Sequence, residues 1–445
     1  MRMNYEEAVD YVLQTPKFTK KNTPEDTRRF FAFLGRPGEK ARIAHVAGTN
    51  GKGSVCAYMS AALTHAGFRT GLFTSPHLVD IRERIRMDGK MIEKEEFAAC
   101  VQEVLDACMR FRAAEGCESY HPTFFELLFF AAMLWFEQMG AEMIVLETGL
   151  GGRLDATNVI EAPAVTAITR IGLDHMEYLG NTKEQIAGEK AGIIKEGRPV
   201  VYLEQEPEVC RVIVEKAKQK CAKTVPVSKK QVESLQFLNK TVDFSMHSEY
   251  YEYIRVSLHT AAFYQRENAA LAVRALEQME RSLREEAMED GRRVCERHIR
   301  REDIEEGLAG TRWEARMDEV FPGVVIDGAH NEDGIHAFLE SVGKDGCQGK
   351  RSLLFSAVAD KRSRAMAQQI LDSGLFEEIV AAPLSGARAL DKESLEGLWR
   401  GRARMYDCPE EAFRSLIGRK GPQDMVYAAG SLYLAGQLLA DLRRT

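Results

Sequence analysis

The sequence predicts an α/β fold in two domains, and three observations carry that prediction. Short runs of branched and apolar residues alternate with helical stretches through most of the chain. That alternation lapses over residues 222–262 and restarts at residue 324. The 445 residues also exceed what one hydrophobic core usually serves. Strands separated by helical crossovers imply a mostly parallel sheet with helices on both faces.

The elements follow in order. IAHVA (43–47) reads as a strand, Ser54 to His65 as a helix closed by Gly67, and RTGLF (69–73) as the next strand. Glu93 to Arg112 is an amphipathic helix, and Phe124 to Gln138 a more apolar, buried one. MIVLE (143–147), AVTAIT (164–169) and PVVYL (199–203) are further strands, with the helical EQIAGEKAGII between the last two. Residues 222–262 look like antiparallel hairpins flanking or edging the first sheet, followed by a helix from Gln265 to Met279. The stretch 280–303 is dense in both charges and reads as a solvated helical surface or an insertion. Beyond it come VVIDGAH (324–330), a helix to Val342, SLLFSAV (352–358), EEIVAAP (378–383), MVYAAG (425–430) and a final helix. The domains are expected to be 1–311 and 312–445.

Composition excludes several classes. A net charge of -7 leaves no basic footprint for nucleic acid. The opening MRMNYEEAVDYVL carries acids where a secretory leader is apolar. The longest apolar run, Phe124 to Phe136, is interrupted by Glu126 and falls short of the ~18 residues that span a bilayer. Nine cysteines are scattered without a CxxC pair, which suits reduced thiols in the cytoplasm better than disulfides or zinc.

VAGTNGKGS (46–54) lies between a strand and a helix. Gly48, Gly51 and Gly53 allow backbone N–H groups to crowd around an anion, and the helix N-terminus behind them adds partial positive charge. Lys52 supplies a mobile full charge, and the Ser54 hydroxyl can ligate the Mg²⁺ that accompanies a nucleotide. The strict pattern GxxxxGK[ST] is not met: Val46 stands at its first glycine, and Gly53 separates Lys52 from Ser54. The first domain is therefore expected to be P-loop ATPase-like and the smaller second one Rossmann-like. Parallel sheets hold ligands at the carboxyl ends of their strands, so the loops after Ala47, Phe73, Glu147 and Thr169 should meet in one crevice. Ser75, Glu147 and His175 each follow a strand there. From the residues alone His175 is a general base or a structural histidine, and Glu147 a metal ligand or a capping or salt-bridged carboxylate. Lys190, on an otherwise apolar segment, is a neutral buried amine or an ordinary snorkelling lysine.

GTNGKGS resembles the phosphate loop of the Mur ligase superfamily, and most closely that of its folylpolyglutamate synthase/dihydrofolate synthase branch. TSPHL (74–78), ETGLGGRLDATN (147–158), GLDHMEYLGNTKEQIAGEKAGIIK (172–195), YQRENAALA (264–272), VIDGAHN (325–331) and GSLYLAG (430–436) match that branch in order. The resemblance implies a cytoplasmic, monomeric ligase that joins L-glutamate to dihydropteroate or a reduced folate, using ATP and an acyl phosphate. It implies two Mg²⁺ ions, with Ser54, Ser75, Glu147 and His175 as ligands and a carbamylated Lys190 at the second. Thr49, Asn50, Gly51, Lys52, Gly53 and Ser54 would hold the phosphates, and Asn268 the adenine. Asp327 and His330 would face ribose and phosphates, and Arg316 the γ-phosphate. Asp155 would bond the pterin, with Thr123 and Phe125 lining its pocket, although Phe125 reads more readily as plain core. The second domain would close over the nucleotide. Here the chain departs from the branch, which commonly has Pro-Gly before the arginine where this sequence has Glu314-Ala315, and Arg312 is a rival. The ADK segment at 359–361 has no assigned role. A P-loop phosphotransferase, a nucleotide switch and a cell-wall Mur ligase are the competing readings.

Overall fold

The computed structural model describes residues 3–16, 22–238, 241–248, 250–289, 297–359, 362–386 and 389–444. Residues 290–296 of the charged stretch, with Cys295, and Asp360 and Lys361 of the ADK segment lie outside it.

The first sheet has eight strands: β1 (Arg42–Ala47), β2 (Thr70–Phe73), β3 (Ile85–Met87), β4 (Lys90–Met91), β5 (Met143–Glu147), β6 (Val165–Ile168), β7 (Val200–Leu203) and β8 (Thr224–Val227). Their order is β4-β3-β2-β5-β1-β6-β7-β8. All pairings from β2 to β8 are parallel, and β3 and β4 form an antiparallel edge. Covering helices bury both faces of the central strands, which explains why those strands read as unbroken apolar runs rather than alternating ones. The Phe124–Gln138 helix starts where Thr123 caps it: its hydroxyl accepts from the Glu126 N–H, and the Glu126 carboxylate accepts from the Thr123 N–H. Phe129 and Phe130 of that helix pack against Phe30 and Phe31, a helical contribution from the first forty residues.

A separate three-stranded sheet is built from β9 (Val232–Leu238), β10 (Thr241–Ser248) and β11 (Glu252–Leu258), in the order β11-β10-β9. This corrects the expectation for residues 222–262. Only Thr224–Val227 edges the first sheet, and it does so in parallel with β7 because the Pro207–Gln219 helix supplies a crossover. The helix expected to end at Met279 continues to Glu289. Its charged end is not simply solvated, for Glu280 is fully buried. Four donors compensate it: Tyr250 Oη, Arg284 Nε, His298 Nδ1 and the Ile299 N–H.

The second large sheet runs β12 (Asp318–Phe321), β13 (Val324–Ile326), β14 (Arg351–Phe355), β15 (Glu378–Ala381), β16 (Arg404–Met405) and β17 (Met425–Ala429), ordered β12-β13-β17-β14-β15-β16. It is parallel apart from β12. Phe338, Phe355, Trp399 and Tyr427 fill its core. The chain divides into two compact units: residues 1–233, 245–256 and 267–311 form one, and 234–244, 257–266 and 312–445 the other. Among the described residues no helix is long and apolar enough to cross a membrane, and the eight described cysteines are free.

The Arg301–Gly310 helix packs on the Lys52–His65 helix through Gly307, where an added Cβ would meet Ala62 Cα at 2.5 Å. Backbone cannot yield as a side chain does, so Gly307→Ala should destabilise by about 1–3 kcal/mol. A lowered urea midpoint checks this, and an unchanged midpoint would contradict it.

Candidate active site

β1 hands the chain to the phosphate loop. Gly48 takes φ +150° and Gly51 φ +92°, conformations that L side chains rarely adopt. A Cβ at Gly48 would meet Thr169 Oγ1 at 1.7 Å, and one at Gly51 would meet Asn268 Oδ1 at 2.2 Å. These glycines therefore permit close packing as well as turning. The helix begins at Lys52, so Lys52, Gly53 and Ser54 occupy its first turn, where N–H groups have no partner within the helix. The glycine inserted before Ser54 thus falls inside the helix, and Ser54 remains on the anion-facing turn. Thr49 and Asn50 are committed differently. Their N–H groups both donate to the Arg170 carbonyl, and Thr49 Oγ1 exchanges bonds with the N–H and carbonyl of Gly172.

The parallel sheet places β2, β5, β1 and β6 side by side, so the loops after them share one end of it. Glu147, at the end of β5, is 3% exposed and accepts from the Ser75 N–H at 2.9 Å. Lys52 Nζ stands 3.9 Å from Glu147 Oε1 and donates to the Thr49 carbonyl at 3.3 Å. Lys190 is 4% exposed, and its Nζ donates to the Gly48 carbonyl at 2.7 Å. Burial and the Lys52 charge push the Lys190 pKa down to about 7, against the opposing pull of Asp174 and Asp155. Ser75, Glu147, Lys52 and Lys190 are thus assembled around one loop. His175 lies beside Asp174 at φ +48°, stands at the N-cap position of the short Met176–Leu179 helix without a side-chain capping bond, and is half exposed.

Residues 148–158 form the neighbouring loop. Asp155 is buried there; burial raises its pKa, and its hydrogen bonds oppose the rise. Its Oδ2 accepts from the N–H groups of Gly149 and Leu150, and its Oδ1 from the N–H and hydroxyl of Thr157. The carboxylate's first task in this structure is therefore to shape its own loop. The Phe125 ring packs on Gly149, where a Cβ would come within 2.7 Å of it, and on Phe73. Thr123 is occupied as a helix cap. Gly152 lies against the Glu189 and Lys190 carbonyls, and the Arg153 N–H donates to Glu189, which joins this loop to the Lys190 helix.

The sequence reading missed Arg170, Gly172 and Asp174, which brace the phosphate loop or act on Lys190. It also missed Glu267, which pairs with Arg170 at 2.6 Å and Lys229 at 2.9 Å and so presents its neighbour Asn268 to Gly51. GLDH and REN were visible as motifs, but bonds through a backbone carbonyl leave no mark on residue type.

In the second unit the DGAH segment follows β13. Buried Asp327 accepts from Tyr264 Oη, the Met317 N–H and the Ala329 N–H, and its pKa is raised by burial against the pull of Arg316. His330 Nδ1 donates to the Gly328 carbonyl at 2.7 Å. Arg316 Nη1 donates to the Ala315 carbonyl and lies against Gly328, whereas Arg312 is exposed. Ala315, standing where the branch commonly has glycine, takes φ +55°. That is the left-handed region a glycine would enter without steric cost.

Lys190 has a stability consequence with a definite sign. Its folded pKa of about 7 lies below the usual lysine value of 10.5, so the buried charge burdens the native state fully below pH 7. The burden fades as pH rises from about 7 to 10.5, where only the unfolded chain keeps the extra proton. Any stability that Lys190→Met gains over the parent should therefore be larger near pH 6 than near pH 9 in urea unfolding. A difference independent of pH would contradict this.

Residues 46–276 match the Mur ligase middle domain, and residues 311–432 match the Mur ligase glutamate ligase domain. A dihydrofolate synthase/folylpolyglutamate synthase of Bacillus subtilis is 34% identical over 99% of this chain and 98% of its own length. E. coli FolC in complex with DHPP and ADP superposes with a TM-score of 0.83 at 26% identity, covering 100% of this chain and 99% of that one. A folylpolyglutamate synthase complex with AMPPCP and folate gives a TM-score of 0.82 at 28% identity, covering 99% and 100%. Match and geometry agree along the whole length: the chain belongs to the Mur ligase family, in its folylpolyglutamate synthase/dihydrofolate synthase branch.

Proposed function

We propose that this enzyme uses MgATP to phosphorylate a pterin-linked carboxylate, and that the α-amine of L-glutamate then displaces phosphate to form an amide. The carboxylate oxygen attacks the γ-phosphorus and ADP leaves; the amine attacks the acyl carbon, phosphate leaves and the nitrogen loses a proton. A carboxylate is a poor electrophile with a poor leaving group, so activation must precede amide formation. The chain is an ATP-dependent glutamate ligase for pteroate or folate acids, as its full-length relatives are. The observation that carries the mechanism is Lys52, Glu147 and Lys190 converging on one loop that opens the Lys52–His65 helix, whose N-terminus favours an anion.

The donor set fits magnesium. Ser54, Ser75 and Glu147 offer oxygens, and among the described residues no group of three or more His, Cys, Asp or Glu could hold a metal alone. A site with one carboxylate and hydroxyls, completed by substrate phosphates, is the habit of Mg²⁺. When bound, Mg²⁺ offsets charge on the transferring phosphoryl group. Lys52 would hold the γ-phosphate, with Gly51, Gly53 and Ser54 cradling its neighbours. Lys190, with its depressed pKa, would supply the neutral amine that a carbamate requires at the second ion, and His175 would join Ser75 and Glu147 at the other. Asn268, Asp327, His330 and Arg316 would serve the rest of the nucleotide, and the 148–158 loop with Phe125 the pterin. Both glutamylation reactions, on dihydropteroate and on reduced folate, are assigned to this site. A monomer in the cytoplasm completes the reading.

Offering dihydropteroate and tetrahydrofolate separately with glutamate and MgATP, and resolving products by mass, tests the assignment. Products one glutamate heavier are expected from both; ADP release independent of glutamate, with phosphorylated acceptor accumulating, would mark a phosphotransferase instead. Lys52→Ala should lower turnover by about 10²–10³, and near-normal turnover would remove the phosphate-loop role. Lys190→Ala should be inactive and partly rescued by short carboxylic acids, whereas no rescue would argue against a carbamate.

A further inference from the structure

His45 is fully buried in the middle of β1, level with Leu146 of β5 and Thr166 of β6. Such a position ordinarily takes an apolar residue, because a buried polar ring must find partners. The ring Nε2 lies 2.7 Å from Thr157 Oγ1. That hydroxyl lies 2.6 Å from Asp155 Oδ1, which as a carboxylate oxygen can only accept. The single hydroxyl proton of Thr157 therefore goes to Asp155, and Thr157 must in turn accept from His45. This fixes the tautomer: Nε2 carries the proton, and Nδ1 is a lone pair. Nδ1 is buried and has no partner. Burial holds the ring pKa down to about 3, with Lys195 adding to the effect, so the imidazole is neutral at working pH.

A one-way chain of donors results, from His45 to Thr157 to Asp155. It ends on the carboxylate that gathers the Gly149 and Leu150 N–H groups. Three residues after His45 the same strand becomes the phosphate loop at Gly48. An apolar residue here would leave no unmatched Nδ1 but would remove the donor to Thr157.

We propose that His45 is a positioning residue that couples the phosphate loop to the acyl-substrate loop, holding Thr157 and Asp155 in the posture that presents residues 148–158 to the pterin-linked acid. The inference rests on reading 148–158 as the substrate loop. Its direct effect is on binding of the acid, and ATP is gripped by backbone and Lys52 on the far side of Gly48.

The experiment measures kcat and both KM values for His45→Leu, His45→Gln, Thr157→Val, Thr157→Ser and the double variant H45L/T157V, with urea midpoints for each. His45→Leu and Thr157→Val should each raise KM for dihydropteroate or tetrahydrofolate by about tenfold, the scale of one buried hydrogen bond. KM for ATP should stay within about twofold. Thr157→Ser and His45→Gln, which keep a hydroxyl and an N–H near the same place, should recover most of the loss. The double variant should be no worse than the worse single one, because both cut one chain. Should His45→Leu fail to fold, Thr157→Val decides alone. Equal rises in both KM values, additive losses, or recovery of neither conservative variant would reduce His45 to a structural fastening and overturn the proposal. A wild-type enzyme without pterin-stimulated ADP release would sink the substrate reading and this inference with it; an active wild type with unchanged KM in Thr157→Val would sink the inference alone.

Discussion

The hydrogen bond from Lys190 Nζ to the Gly48 carbonyl is the strut on which the first unit's site depends. It spans 142 residues and crosses from a covering helix to the end of the central strand. Gly48 is held from its other side by Thr169, whose side chain fills the space a Cβ would need. The phosphate loop is thus clamped between the segment after β6 and the Lys190 helix. A flexible glycine loop would pay entropy on gripping each phosphate, whereas a clamped one presents its N–H groups already in place.

The clamp also explains how an acidic protein handles a polyanion. Net charge is -7, but the charge that matters is local. Lys52 leans toward Glu147, and Lys190 is denied full protonation by burial and by Lys52 itself. Two lysines close together would otherwise repel; the depressed pKa of Lys190 leaves about half of it neutral near pH 7, which eases their coexistence under the loop. Glu147 balances Lys52 until an anion competes for it, so the site carries its own counter-charges in place of a broad basic surface.

Most of this frame was legible before the structure. The strand runs at 43–47, 143–147 and 199–203 lie within or beside the observed strands, because central parallel strands must be apolar on both faces. Their alternation with helices put the loops after β1, β2, β5 and β6 at one end. Residues 222–262 were legible as strands but not as a separate sheet, since β-propensity says nothing about which edge a strand joins. Within the site, side chains that carry a charge stand out in the sequence, and residues that work through backbone do not. Thr49 looked like a phosphate ligand and is bonded to Gly172; Arg170 was passed over although its carbonyl receives two loop N–H groups. Glu280 looked solvated because its neighbours are charged, and only the fold shows four donors closing on it.

The chemistry sets a demand that this wiring meets. An acyl phosphate forms only if the acid's oxygen is held near the γ-phosphorus and in line with it, and a misplacement of about 1 Å can cost ~10²-fold. The pterin end of such a substrate is remote from the reacting carboxylate, so its binding energy helps only if the loop proposed to hold it, residues 148–158, is rigidly referenced to the phosphate loop. Two independent struts provide that reference. On one side Gly152 and Arg153 lie on the carbonyls of Glu189 and Lys190, whose amine holds Gly48. On the other, Thr157 is tied to His45 on the strand that leads into Gly48. Both lead back to Gly48, one through its carbonyl and one through the backbone of β1, from two separate points of residues 148–158. A loop tied at one point could pivot about it, and a loop tied at two cannot, so the placement of residues 148–158 is referenced to β1 itself.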